Sequence, residues 1–337
     1  MLKRVIFLAV SFLFVINMSF AGDLLSLTPD DAAFVVNVNL EKMLSSEVIK
    51  KQIDDNMAKQ TPEQKKSFDE FVAKTGIDPF KHIKGLLIFI GNKVDEKTQK
   101  PNAAVLIDGT FDSEKIIKAI KEDPKASEDA VIEKFEGLDC IKGKKNADGV
   151  GVFLDPNSAV IGNPDSIKTV IGVKKGTGKN IKTNANLDAL LKKADTSAAI
   201  WGAGLLPAQL KEQAKNNPQM QPLAAINALF FAFNYDKDLN FDFTGELDKK
   251  ESLEGVMTSL NGFLAMIKMM AGQSPEAAQI LNLIKVEGAD TTAKITLKVP
   301  QATLDELKKK IEEKIKVNAP APTPAPTPAP APEGDKK

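Results

Sequence analysis

Apolar residues recur along this chain in two rhythms, every second position and every third to fourth, and the switches between them mark alternating strands and helices. Residues 33–40 form an apolar run with Asn37 and Asn39 on one side, the pattern of a strand half exposed to water. Residues 42–57 place Met43, Leu44, Val48, Ile49 and Ile53 on one helical face. Thr61-Pro62-Glu63-Gln64 opens a second helix, with a hydroxyl cap, proline at the first helical position and glutamine three residues on. Gly76 and Asp78-Pro79 stop it. The continuous apolar run 86–90 reads as a buried central strand, with 103–107 as its neighbour.

Asp112 then caps a helix carrying Ile116, Ile117 and Ile120 on one side. After it come an extended stretch over 130–141 and a hairpin of 150–154 with 159–161, turning through Asp155-Pro156-Asn157-Ser158. Asn163-Pro164-Asp165 opens a helix that ends near Gly172. Residues 174–184, rich in Gly, Lys, Asn and Thr, read as a linker.

The order then repeats in outline. Residues 195–205 resemble 31–40, Gly245-Glu-Leu-Asp248 leads into a helix as Gly109-Thr-Phe-Asp112 does, and Leu297-Lys-Val-Pro300 echoes Ile161-Gly-Asn-Pro164. Phe231, Phe233 and Tyr235 alternate into Asp236-Lys-Asp238, and Leu239, Phe241 and Phe243 alternate out of it, which predicts a hairpin whose aromatic face holds much of this half's core. Leu253, Val256, Met257, Leu260, Phe263, Leu264, Ile267 and Met270 fall on one face of an amphipathic helix. Leu304, Leu307, Ile311 and Ile315 make a last stripe, suited to docking on the sheet or to pairing with another copy.

The expected fold class is therefore α+β: two related halves, 22–173 and 185–318, each a mainly antiparallel sheet packed with helices and joined by 174–184. The ends lie outside it. Lys3 and Arg4, the apolar residues 5–16, and Ser19-Phe20-Ala21 have the layout of a secretory signal peptide over 1–21, so the mature chain is expected outside the cytoplasm, periplasmic or secreted, with no membrane span. Residues 319–332 alternate Ala and Pro with Thr323 and Thr327, so 319–337 is expected as a disordered, extended spacer of about 3 Å per residue.

Composition removes most chemistry. Beyond residue 21 the chain has no arginine, one histidine (His82), one cysteine (Cys140), one tyrosine (Tyr235) and one tryptophan (Trp201). General-base catalysis, thiol chemistry, zinc binding and bidentate phosphate capture draw on residues that are nearly missing. Formal net charge is zero and lysines alternate with acids, which disfavours nucleic acid as a partner. Cys140 has no partner for a disulfide within the chain and reads as a small buried residue.

Each imitation of a site lacks the residue its mechanism needs. Lys174-Lys-Gly-Thr-Gly-Lys-Asn180 departs from a phosphate loop at Val173 and Asn180. Asp236, Asp238, Asn240 and Asp242 begin like a calcium loop, but Phe241 stands where glycine must turn and Leu247 where glutamate must bind. Met266, Met269 and Met270 are an admissible copper(I) cluster, though core filling is the commoner use. His82 reads as a loop residue. Neither a Gly-x-Ser-x-Gly motif nor a Ser-x-x-Lys pair is present.

Leu27-Thr-Pro-Asp-Asp-Ala-Ala-Phe-Val-Val-Asn-Val38, followed by a helix, resembles the opening of a loose class of uncharacterised secreted bacterial proteins. The resemblance covers the first strand and implies no activity. The expected function is that of a non-catalytic extracytoplasmic binding or structural protein for an unknown protein or envelope component, with no catalytic, cofactor or metal residues assigned. A carboxylate-dependent hydrolase and a carrier or chaperone for apolar ligands are the alternatives.

Overall fold

The computed structural model describes residues 21–94, 101–144, 149–206, 208–217 and 220–318. The expected signal segment, save Ala21, and the Pro/Ala tail lie outside them. The chain divides into two compact units, Met1–Val299 and Pro300–Lys337.

The first unit opens with α1 (Ala21–Leu27), β1 (Ala32–Asn39), α2 (Leu40–Ser45), α3 (Glu47–Ala58), α4 (Pro62–Thr75) and α5 (Pro79–His82). There follow β2 (Ile83–Val94), β3 (Pro101–Gly109), α6 (Ser113–Glu122), α7 (Pro124–Asp129), β4 (Ala130–Phe135), β5 (Leu138–Gly143), β6 (Val150–Asp155), β7 (Ser158–Gly162) and α8 (Pro164–Lys174). Its later part runs α9 (Ala185–Leu191), β8 (Ile200–Leu205), α10 (Ala208–Lys215), β9 (Ile226–Tyr235), β10 (Leu239–Leu247), α11 (Leu253–Met270), α12 (Pro275–Leu281), β11 (Ile284–Ala289) and β12 (Thr292–Val299). The described part of the second unit is α13 (Gln301–Asn318), which carries Leu304 and Leu307 and has Lys310 paired with Glu306 one turn earlier.

The protein is mixed α+β, and its strands form one twelve-stranded sheet in the order β11-β12-β10-β9-β8-β1-β2-β3-β7-β6-β5-β4, antiparallel at each pairing. Where a sheet in each half was expected, the halves share this one. Read outward from its centre, β1-β2-β3-β7-β6 on one side is matched by β8-β9-β10-β12-β11 on the other, and β5-β4 extend the first side. The halves therefore repeat one strand order and meet edge to edge through β1 and β8.

That junction is built on missing side chains. Phe34 lies opposite Gly204 and Val36 opposite Gly202. A Cβ on Gly202 would stand 2.2 Å from the Phe231 ring, and one on Gly204 would stand 2.3 Å from the Ala33 carbonyl oxygen. Phe34 and Phe231 stack with centroids 6.4 Å apart.

The central strands are packed fully on one side and in part on the other. On one side α1, α8 and α9 bury Val35, Leu87, Phe89, Leu106, Val160 and Trp201 against Ile167, Val170 and Leu187. On the other, α6 sets Ile116 against Leu86, Ile107 and Phe111. β1 is half-wet as expected, but with its faces exchanged: Phe34, Val36 and Val38 are half-buried on the second side, while Asn37 shares the covered side with Val35. Asn37 is 2 % exposed, and neither its Oδ1 nor the Nε1 of Trp201, its neighbour across the junction, has a hydrogen-bond partner among the described residues.

Several boundaries also differ from expectation. The helix expected over 42–57 is two, because the Ser46 hydroxyl accepts from the Ile49 N–H and restarts the chain as α3. The stretch 130–141 is the β4–β5 hairpin, turned by Glu136 and Gly137 with φ of 50° and 87°, a left-handed pair that suits a two-residue turn. The segment 174–184 is folded into the body and is not a free linker. The Ile181 N–H donates to the Thr28 carbonyl, Asn180 bridges Pro29, and the Ile181 side chain is buried in the main core. Other local signals match the structure, including the reciprocal Thr61 and Gln64 capping box and the left-handed Gly76 that ends α4.

Candidate functional site

The residues singled out for chemistry lie apart and serve the scaffold. His82 Nδ1 accepts the Asp78 N–H at 2.8 Å, closing the short α5 turn. Cys140 is fully buried on β5 opposite Val152, and burial pushes its thiol pKa up, away from the reactive thiolate. Asp242 pairs with Lys294 at 2.9 Å and Asp238 with Lys298 at 3.4 Å, so the mock calcium residues line the wet face of β10 and β12. Among the described residues, no group of three or more His, Cys, Asp or Glu is placed to hold a metal ion.

The mock phosphate loop is the end of α8. The Thr177 and Gly178 N–H groups both donate to the Gly172 carbonyl, Lys175 Nζ reaches the Glu136 carbonyl, and Lys174 Nζ contacts Asp155 Oδ2. Burial alone would raise the Asp155 carboxyl. The Lys174 ammonium and the Asn157 N–H, which Oδ1 accepts at 2.7 Å, outweigh it and hold the pKa below the ordinary value. A folded pKa below the unfolded one gives stability that is present above about pH 4 and lost as pH falls through the folded value. Asp155→Asn is therefore expected to cost about 0.5 kcal/mol at pH 7, modest because the pair is partly solvated, and less at pH 2. Urea unfolding at the two pH values checks this, and an equal cost at both would contradict it.

A different feature stands out on the second half of the sheet. Leu229 packs with Leu247, Ala293 and the α11 residues Leu253, Val256, Met257 and Leu260. Since side chains alternate along a strand, Phe231, Phe233 and Tyr235 share the face that Leu229 presents to α11. The aromatic hairpin was expected to be that half's closed core. Instead Phe231, Phe233, Phe241 and Phe243 are only half-buried, because α11 lies along β11 and β12 and not across the aromatic strands.

The distal half of α11 corrects the expectation further. Phe263 and Met270, assigned to the core stripe, are 58 % and 72 % exposed, and Met266 and Met269 are 43 % and 76 % exposed. These four are half of the large hydrophobic residues exposed among the described residues, so the exposure is concentrated and not scattered. The surrounding segment is also nearly uncharged. Between Glu254 and Glu276 the single ionisable residue is Lys268, in a chain that is 27 % charged.

The flank has a covered and an open end. Gly255 would place a Cβ 3.6 Å from Pro222, which belongs to a short 3-10 helix, Gln221–Ala225, lying beside α11. Gly262, Phe263, Met266 and Met270 follow at seven, eight, eleven and fifteen residues, the spacing that returns to the same side of a helix. A Cβ at Gly262 would meet nothing within 4 Å. The sequence pattern missed this flank because apolar periodicity marks where side chains align, not whether anything covers them. The scarcity of charge in 255–275, where Lys268 stands alone, was the available signal.

No protein-family model, curated protein or solved structure matches this chain.

Proposed function

We propose that this protein is a non-catalytic extracytoplasmic binding protein that receives the apolar surface of a partner along the distal flank of α11. The concentration of exposed Phe263, Met266, Met269 and Met270 in a segment with one charge carries this reading. Interface centres are depleted of charge and enriched in aromatic residues and methionine, and the unbranched thioether adapts to irregular surfaces. Leaving four large apolar side chains in water on a monomer otherwise invites aggregation. The secretory layout of residues 1–21 supports the location outside the cytoplasm. Binding is favoured over hydrolysis because Asp123 and Asp155, two carboxyls of displaced titration among the described residues, are displaced downwards by lysine partners, the reverse of a general acid.

An environment-sensitive apolar dye such as bis-ANS tests the reading. The native chain is expected to enhance its fluorescence, and the triple variant Phe263→Ser, Met266→Ser, Met270→Ser to lose most of that signal without a change in thermal midpoint. A native chain that leaves the dye dark, or a triple variant that keeps the signal, would contradict it.

A further inference from the structure

Resting on that reading, we infer that the partner presents an amphipathic α-helix of another polypeptide, laid along α11 in line with the 3-10 helix Gln221–Ala225. The chain itself supplies the precedent. Gly255 and Gly262 are two notches on one side of α11, seven residues apart. The first is filled by Pro222 from a short helical segment of the same chain, and the second is open. A helix continuing that line would seat one apolar side chain in the Gly262 notch and pack its neighbours between Phe263, Met266 and Met270. Those positions recur at the three- and four-residue spacing of ridges that mesh between helices.

The chemistry of the flank selects against other occupants. A helix flank offers side chains and no free backbone donors or acceptors, so an extended peptide lying on it would bring unpaired N–H and C=O groups against apolar surface. A helix satisfies those groups internally and brings none. An anionic bilayer is drawn to lysine or arginine beside an apolar stripe, and here Lys268 stands alone between residues 255 and 275. With one charge in this segment, affinity rests on apolar fit, and the partner's contacting face is itself uncharged.

The test uses the full mature chain and a fluorescein-labelled peptide of about 18 residues, long enough to form a helix against a surface. The peptide carries leucine at i, i+3, i+4 and i+7 with Gln and Ala elsewhere, and its control has the same composition scrambled. By anisotropy the periodic peptide is expected to bind at least about 10-fold more tightly than the scrambled one. Gly262→Leu, which fills the open notch with a good helix former, is expected to weaken it by about 10-fold while leaving the thermal midpoint unchanged or higher. Met266→Leu, Met269→Leu, Met270→Leu together keep the surface apolar and are expected to keep the binding, whereas loss would point to sulfur chemistry and overturn the inference.

Equal binding of both peptides, or no effect of Gly262→Leu, would also overturn it. So would a native dimer in sedimentation that Gly262→Leu dissociates, which would make a second copy the occupant. Co-sedimentation with phosphatidylcholine and phosphatidylglycerol vesicles, abolished by Gly262→Leu, would make a bilayer the occupant. Bis-ANS separates the two levels of failure: a bright dye with no peptide binding removes the helical partner alone, and a dark dye removes the binding surface itself.

Discussion

Gly204→Ala is expected to destabilise the protein by about 3 kcal/mol, near the top of the range for overpacking. The added Cβ would stand 2.3 Å from the Ala33 carbonyl oxygen and 2.5 Å from the Phe34 Cα. Both are backbone atoms in β1, so no side chain can turn aside and the β1–β8 pairing itself must open. The same substitution on α11 should have the opposite sign. Gly262→Ala meets open space in a helix interior and is expected to stabilise by up to about 1 kcal/mol through helix propensity. Urea midpoints of the two variants decide the matter. A cost below about 1 kcal/mol at Gly204 would mean that the halves are not joined as described.

A second contrast separates scaffold from surface. Phe89→Ala, at a ring 1 % exposed on β2 with Val35 and Ala104 as its cross-strand neighbours, is expected to cost about 3–5 kcal/mol from lost burial and the cavity left behind. Phe263→Ala, at a ring 58 % exposed, is expected to stay within about 0.5 kcal/mol. A large cost at Phe263 would assign the ring to packing and remove the reason for treating it as a binding residue. Equal small costs would instead contradict the placement of the core.

What was legible in the sequence was what is decided locally. The Thr61 to Gln64 capping box, the Asp155-Pro156-Asn157-Ser158 turn and the helix opened by Asn163-Pro164 are each set by a few neighbouring residues, and each stands where its pattern placed it. The repeated order of the halves was visible through Gly109 to Asp112 and Gly245 to Asp248, which end β3 and β10 ahead of α6 and α11. What escaped was decided by distant parts of the chain. Asn37 is buried because α1, α8 and α9 cover the face of β1 that it shares with Val35, and Ile181 is buried because its segment returns to Thr28. Phe263 and Met270 satisfy the apolar period of α11, yet the 3-10 helix at Gln221–Ala225 ends short of them. Periodicity reports the face of a helix, and only the fold reports its cover.

The openness of that flank can be measured residue by residue. Dilute hydrogen peroxide converts exposed thioethers to sulfoxides, and peptide mass spectrometry reads the rate at each methionine. In the native chain Met266, Met269 and Met270 are expected to oxidise at least about 10-fold faster than Met43, which is buried at the start of the helical cover, and the four rates should converge in denaturant. Met269 and Met270 reacting as slowly as Met43 in the native chain would show the flank to be closed, and with it the proposed binding surface would fall.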